Sequence, residues 1–303
     1  MRVHGVDFSG SAEPGDDIWL VSGWCPGAEG RTASGSAREG SSAPGAGDDI
    51  DLRVTDARPA SEAFGVTARE PVLRHLREFV TGAAPDATPT QVTGLDCSFG
   101  LPRPVLPSED TASDDWRATL DWVHETFASD DGRSFQSALK ERARARDAEG
   151  VELKRSTDGP TGASSPYSFI TRYQTLHGLR DVLRPLVERG AVAIPPMVPR
   201  DGERPSLVEV YPAGTLRDQG LPDRKYKDDR TYPEAPARRE RILDGLLDRG
   251  VRLEGVPRER LLADSGGDAL DALVGAVAVA RNARTGFATA PERYDPVEGY
   301  IYV

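Results

Sequence analysis

The apolar positions of the chain open in strand period. Residues 2–8 form a short mixed run broken by Ser9, Gly10 and Ser11, residues 18–25 form an apolar, tryptophan-bearing run, and residues 51–55 alternate with Leu52 and Val54 on one side. Between the second and third runs, residues 27–47 are rich in Gly, Ser and Ala, which predicts a long flexible hairpin loop. The period then lengthens. Thr67 and Glu70 have the spacing of a capping box, and Val72, Leu73, Leu76, Phe79 and Val80 recur at helical intervals, so a helix is expected up to Gly82. Residues 92–97 return to a strand, ended by Phe99, Gly100, Leu101 and Pro102. Three antiparallel-looking strands, a crossover helix and a further strand make a mixed α/β sheet.

From about residue 108 to 190 the period is helical, with Trp116, Leu120, Val123 and Phe127 on one stripe and Ile170, Tyr173, Leu176, Val182 and Leu183 on another. This predicts an inserted helical layer, bounded at 103–190, within a single domain spanning 1–303. Residues 191–197 and 207–211 look like two strands of a hairpin separated by 199–205, and a helix over 238–249 is expected to end on Gly250. Residues 268–281 are apolar almost all round, which predicts a buried helix.

Composition narrows the class. Hydrophobic residues are 38% of the 303, enough for a core, and no stretch approaches the roughly 20 apolar residues of a membrane span. The N-terminus has no charged-then-apolar signal layout, so a soluble, cytoplasmic protein with no membrane partner is expected. Two cysteines, Cys25 and Cys97, supply neither a disulfide framework nor a Cys-rich zinc site and read as buried small hydrophobes. The net charge is −11, and lysine occurs only as Lys140, Lys154, Lys225 and Lys227. Such an acid-rich, lysine-poor surface suits a salt-adapted cytoplasm. It repels nucleic acid at long range unless arginines gather locally or salt screens the field.

Several acids stand where apolar elements would bury them. Asp7 and Asp96 end strands, Glu209 lies between Val208 and Val210, and Asp268 and Asp271, three apart and so on one helix face, open the buried helix. An unpaired buried carboxylate costs several kcal/mol, so each needs a proton, a partner or a cation. Blander roles exist: an N-cap for Asp268, turn residues for Asp7 and Asp96. If the five converge, their mutual repulsion is relieved best by divalent cations, and all-oxygen ligation selects Mg²⁺ or Mn²⁺. A pair of such ions about 4 Å apart is the arrangement that hydrolyses phosphodiesters.

The runs Gly5-Val6-Asp7, Gly94-Leu95-Asp96-Cys97-Ser98-Phe99-Gly100-Leu101-Pro102, Val208-Glu209-Val210-Tyr211-Pro212-Ala213-Gly214 and Asp268-Ala269-Leu270-Asp271-Ala272-Leu273-Val274-Gly275-Ala276 resemble the hallmarks of the family called domain of unknown function 429. The order extends to a closing Glu298-Gly299-Tyr300-Ile301. That family is described as ribonuclease-H-like and as a predicted nuclease. The resemblance implies a ribonuclease-H-like mixed sheet flanked by helices, with Asp7, Asp96, Glu209 and Asp271 as catalytic acids that bind the metals together with Asp268. The Asp-x-x-Asp opening of the last helix is also similar to the final acidic helix of Holliday-junction resolvases.

Basic groups near the insertion are candidates for holding nucleic acid or a phosphorylated small molecule: Arg155, Arg172 beside Tyr173, and Lys227 beside Tyr226. The four histidines include no i, i+4 pair of a helical zinc site, and Ser98 has no nucleophile-elbow context. Two competing functions fit the same fold. An ATP-binding phosphotransferase or ATPase of the sugar-kinase and actin-like type would use Asp7 before its Gly/Ser turn, and a catalytically silent binding protein would keep the fold without turnover.

Overall fold

The computed structural model describes residues 1–26, 50–82, 91–107, 115–146 and 148–303. The predicted loop over 27–47 lies outside the described residues.

In chain order the sheet and its coverings begin with β1 (Arg2–Asp7), β2 (Trp19–Trp24), β3 (Leu52–Pro59), α1 (Ala60–Phe64), α2 (Arg69–Thr81) and β4 (Val92–Asp96). Helices α3 (Trp116–Thr126), α4 (Gly132–Ala145), α5 (Asp158–Thr161) and α6 (Arg172–His177) follow; α6 runs through a π-helical stretch, Gly178–Leu183, into α7 (Arg184–Glu188). Then come β5 (Ser206–Val210), α8 (Pro212–Asp218), α9 (Ala235–Leu247), β6 (Val251–Leu253), α10 (Arg258–Leu262), α11 (Asp268–Ala283) and β7 (Ile301–Tyr302).

The seven strands form one mixed sheet in the order β6-β3-β2-β1-β4-β5-β7. Only β2 runs antiparallel to its neighbours; β4, β5 and β7 extend the sheet in parallel from β1, and β6 lies parallel to β3. Alternation along each strand divides the core in two. Val3, Val21, Val92, Val208 and Val210 join the cluster containing α9 and α11, while Val6, Leu20, Leu95 and Leu207 join the cluster containing α2, α3, α4 and the π-helical stretch. The helices lying between β4 and β5 in sequence therefore cover one face, and α11 crosses the other.

Small residues set how closely α11 approaches. A Cβ on Gly5 would lie 2.0 Å from the carbonyl oxygen of Ala272 and 2.3 Å from the nitrogen of Ala276, so only glycine fits there. This contact seats the first turn of α11 over the ends of β1 and β4, and the helix is buried nearly all round as its composition predicts.

Several expectations need correction. The Thr67–Glu70 capping box does not form: α2 begins at Arg69, whose N–H donates to the carbonyl of Ala12, while the carbonyl of Thr67 accepts from Gly15. Backbone partners across the fold take over the work of the cap. Residues 191–197 are not a hairpin strand either. They give one parallel bridge, Ala193 with Ser206, before turning back between Ile194 and Val198. Pro195 and Pro196 have no N–H to continue a ladder. The 238–249 helix closes through Asp248, with Gly250 at φ +95° leading into β6. Cys25 and Cys97 are free and buried. No helix among the described residues is long and apolar enough to cross a membrane.

Candidate metal centre

Asp7 and Asp96 are register partners at the carboxyl ends of the parallel strands β1 and β4. Both point toward α11, as do Gly5 and Gly94 two residues before them, since side chains alternate with period two. Asp271, in the first turn of α11, meets them from above. One oxygen from each of Asp7, Asp96 and Asp271 lies within 4.8 Å of the others. Crowding of this kind makes protons or cations welcome. Burial pushes the carboxyl of Asp7 well above its usual range, with Asp271, Asp268 and Asp96 adding to the rise, and burial together with Asp271 lifts Asp96 to about 8.

The donor set is entirely carboxylate, which fits a hard divalent cation such as Mg²⁺ or Mn²⁺ and not a thiolate- or imidazole-preferring metal. Neighbours fix the geometry. The hydroxyl of Tyr226 donates to Asp271 Oδ1 at 2.7 Å, and Gln174 Nε2 donates to the carbonyls of Phe8 (2.6 Å) and Asp96 (2.5 Å), tying the two strand ends together. Lys227 Nζ lies 2.5 Å from Asp271 Oδ2 and 3.4 Å from Asp268 Oδ1. Burial opposes its charge, yet Asp271 and Asp7 hold it protonated and raise its pKa. Left-handed backbone brackets it, at Lys225 (φ 57°) and Asp228 (φ 61°).

Asp268 stands beside the cluster and is not the N-cap. Gly267 takes the cap position, and Asp264 accepts from the N–H groups of Gly266 and Ala269.

Glu209 departs from the expected gathering. On β5 its register partner is Leu95, one residue before Asp96, so its side chain points to the opposite face. There both oxygens meet Arg155, Nη1 at 2.9 Å and Nη2 at 2.5 Å, and the N–H of Phe99 donates at 3.0 Å. Arg155 is in turn held by Asp158 at 2.7 Å, and the three side chains are almost wholly buried. Its guanidinium is thus engaged by two carboxylates, and it and Glu209 reach the wall of the cavity onto which Asp7, Asp96 and Asp271 open. Burial works against its charge, but Asp158 and Glu209 keep it protonated. Glu298 joins the same region by accepting from the N–H groups of Arg103 and Ser156. Arg172, also expected as a substrate contact, is buried with Nη1 donating to Gln136 Oε1 at 2.7 Å and its plane over Phe169 at 4.5 Å. Of the three basic candidates, Arg155 pairs with Glu209, and Lys227 meets Asp268 and Asp271.

The acids open onto a cavity of about 530 Å³, whose walls include Ser9, Ser98, Ile170, Gln174, Lys227 and Tyr211. Gln174, Tyr226 and Asp264 escaped sequence reasoning because no spacing ties them to the acids; the one signal was the aromatic position of Tyr226 between two lysines.

The family model described as "Protein of unknown function (DUF429)" matches residues 50–295. That span includes Asp96, Glu209, Asp268 and Asp271, and Asp7 lies before it. No curated protein and no solved structure matches the chain.

Proposed function

The chain belongs to the family described as protein of unknown function (DUF429), and from the meeting of Asp7, Asp96 and Asp271 we propose that it is a metal-dependent nuclease or phosphohydrolase of ribonuclease-H-like fold. What supports the fold is the order β3-β2-β1-β4-β5 with β2 alone antiparallel, and residues 103–190 then count as a helical insertion. What supports the chemistry is one observation: three carboxylates from two strand ends and one helix, brought within 4.8 Å beside an open cavity, with the proton affinities of Asp7 and Asp96 raised.

Asp7, Asp96 and Asp271 would hold one or two Mg²⁺ or Mn²⁺ ions. When bound, such ions acidify water and offset charge on phosphodiester oxygens. The protein's own groups do the rest. Tyr226 keeps Asp271 in one rotamer, Gln174 keeps the ends of β1 and β4 in register, and Lys227, partly exposed, is placed to meet a phosphate oxygen entering the cavity. Glu209 and Arg155 hold the strand β5 wall behind the acids.

The test is incubation of the protein with Mg²⁺ or Mn²⁺ and labelled single-stranded, duplex and branched DNA and RNA, alongside Asp7→Asn. Cleavage that needs the divalent ion and disappears in the variant is expected. Cleavage that persists undiminished in Asp7→Asn would sink the proposal.

A further inference from the structure

Resting on that reading, we propose that Arg69 and Arg77 form a distal phosphate subsite, joined to the carboxylates by continuous cavities, so that the ligand is an extended single-stranded phosphodiester chain and not a small phosphate ester. The carboxylate cavity shares Phe8, Ser9, Ile170 and Gln174 with a second cavity of about 480 Å³ floored by Gly10 and Tyr173. Arg69 closes that second cavity and also lines a third, of about 420 Å³, with Arg77 and Arg180.

The two arginines differ from the ion-paired ones on this acid-rich chain, such as Arg58–Asp56, Arg217–Asp223, Arg239–Asp229 and Arg281–Asp218, which are matched to a carboxylate. Arg69 and Arg77 are not. Among the described residues the guanidinium of Arg69 donates only to the carbonyl of Ser11 at 2.6 Å, and that of Arg77 only to the carbonyl of Asp181 at 2.5 Å. Each is half-buried, and burial lowers the pKa of both guanidiniums, with Arg180 adding to the fall for Arg69 and Arg189 for Arg77, while the Asp181 carboxylate opposes it in both without reversing it. The third cavity's own acids do not cancel them: Asp181 is bonded to Arg180 and His177, and Glu70 is a single exposed charge. A phosphate is the group that two unmatched forks best accept.

Between the acids and the arginines the path is apolar and aromatic. Ile170 is 81% exposed, Phe169 beside it 72%, and Tyr173 lines the middle cavity. Unpaired bases stack on such groups while the backbone follows the charge, which is how single strands are held without sequence preference. The local arginines also answer the long-range repulsion of a −11 chain.

The experiment is fluorescence anisotropy in EDTA, with labelled single strands of about 12 nucleotides, a length within usual single-strand site sizes, as separate DNA and RNA arms, and a labelled dinucleotide. The longer strand, in at least one arm, is expected to bind about tenfold tighter than the dinucleotide, and Arg69→Gln with Arg77→Gln to remove most of that gain. The log–log salt slope should fall by about 1.4 for two lost phosphate contacts. The Arg69→Lys, Arg77→Lys pair should restore much of both. Affinity independent of strand length, an unchanged salt slope, or equal loss for both ligands overturns the subsite. Because no divalent ion is present, a failure of the nuclease proposal shows separately, as absence of cleavage in the Mn²⁺ assay.

Discussion

The ammonium of Lys227 sits 2.5 Å from an oxygen of Asp271, inside a group of carboxylates whose geometry otherwise suits a divalent cation. It is a protein-supplied positive charge held where added metal would also bind. Replacing it with methionine is expected to raise Mn²⁺ affinity about tenfold, because a competing charge is gone. The metal-free protein should lose about 1–2 kcal/mol, a figure discounted because the ammonium is partly exposed. Titration calorimetry with Mn²⁺ reads the first effect and urea unfolding the second; an affinity that stays level or falls would show that Lys227 does not compete.

Arg155 and Glu209 test a different kind of charge. Their ion pair is buried at 1% and 3% side-chain exposure, with Asp158 at 0% on the other side of the guanidinium. Arg155→Met strands two carboxylates and should cost about 3–5 kcal/mol in chemical denaturation. Glu209→Gln, with Glu209 facing away from Asp96, should change Mn²⁺ affinity by less than about threefold, whereas Asp96→Asn should lose at least about tenfold. Equal losses in those two variants would place Glu209 among the ligands.

Gly5 holds the helix to the sheet. Alanine there would put a Cβ 2.0 Å from a backbone oxygen of α11, and backbone cannot swing aside as a side chain can. Gly5→Ala is expected to destabilise the protein by about 3 kcal/mol or more. It should also weaken Mn²⁺ binding, since Asp271 rides on the displaced helix. Gly65→Ala, where a Cβ meets nothing within 4 Å, separates packing from backbone strain, its φ being +70°. A Gly5→Ala protein with native melting and metal affinity would refute the close approach.

His4 gives the acid limb of stability. It is buried against the edge of Phe79, its Nδ1 is 2.8 Å from Ser22 Oγ, and burial with the nearby Arg2 lowers its pKa from 6.5 to about 3. Between those two values the unfolded chain binds a proton that the folded one refuses, so stability falls as pH drops from 6.5 toward 3. His177, lowered chiefly by burial, acts in the same direction. From pH 7 to pH 5 the share of His4 is about 2 kcal/mol. Urea midpoints for wild type and His4→Gln at the two pH values should show a smaller drop in the variant; parallel drops would remove His4 as a cause.

Much of the frame was legible in the residues. Short strand-like runs marked β1, β2 and β4, alternation marked β3, helical recurrence marked α2, and an apolar circumference marked α11 as buried, because each pattern is local and its period is set by backbone geometry. β6 and β7, three and two residues long, carry too few positions for any period to register. The acids at element ends were legible too, and Asp7, Asp96 and Asp271 do meet.

Register and reach belong to the tertiary structure alone. Nothing in Val208-Glu209-Val210 tells that Glu209 pairs with Leu95 and not Asp96, yet one residue of register sends its side chain to the other face of the sheet, toward Arg155. Likewise a lysine and an aspartate 44 positions apart become partners only once α11 packs on Gly5. The sequence determined which charges needed company, since burial in an apolar element is a local fact. Only the packed sheet decided whose company each one kept, because that depends on distances between segments that no local pattern encodes.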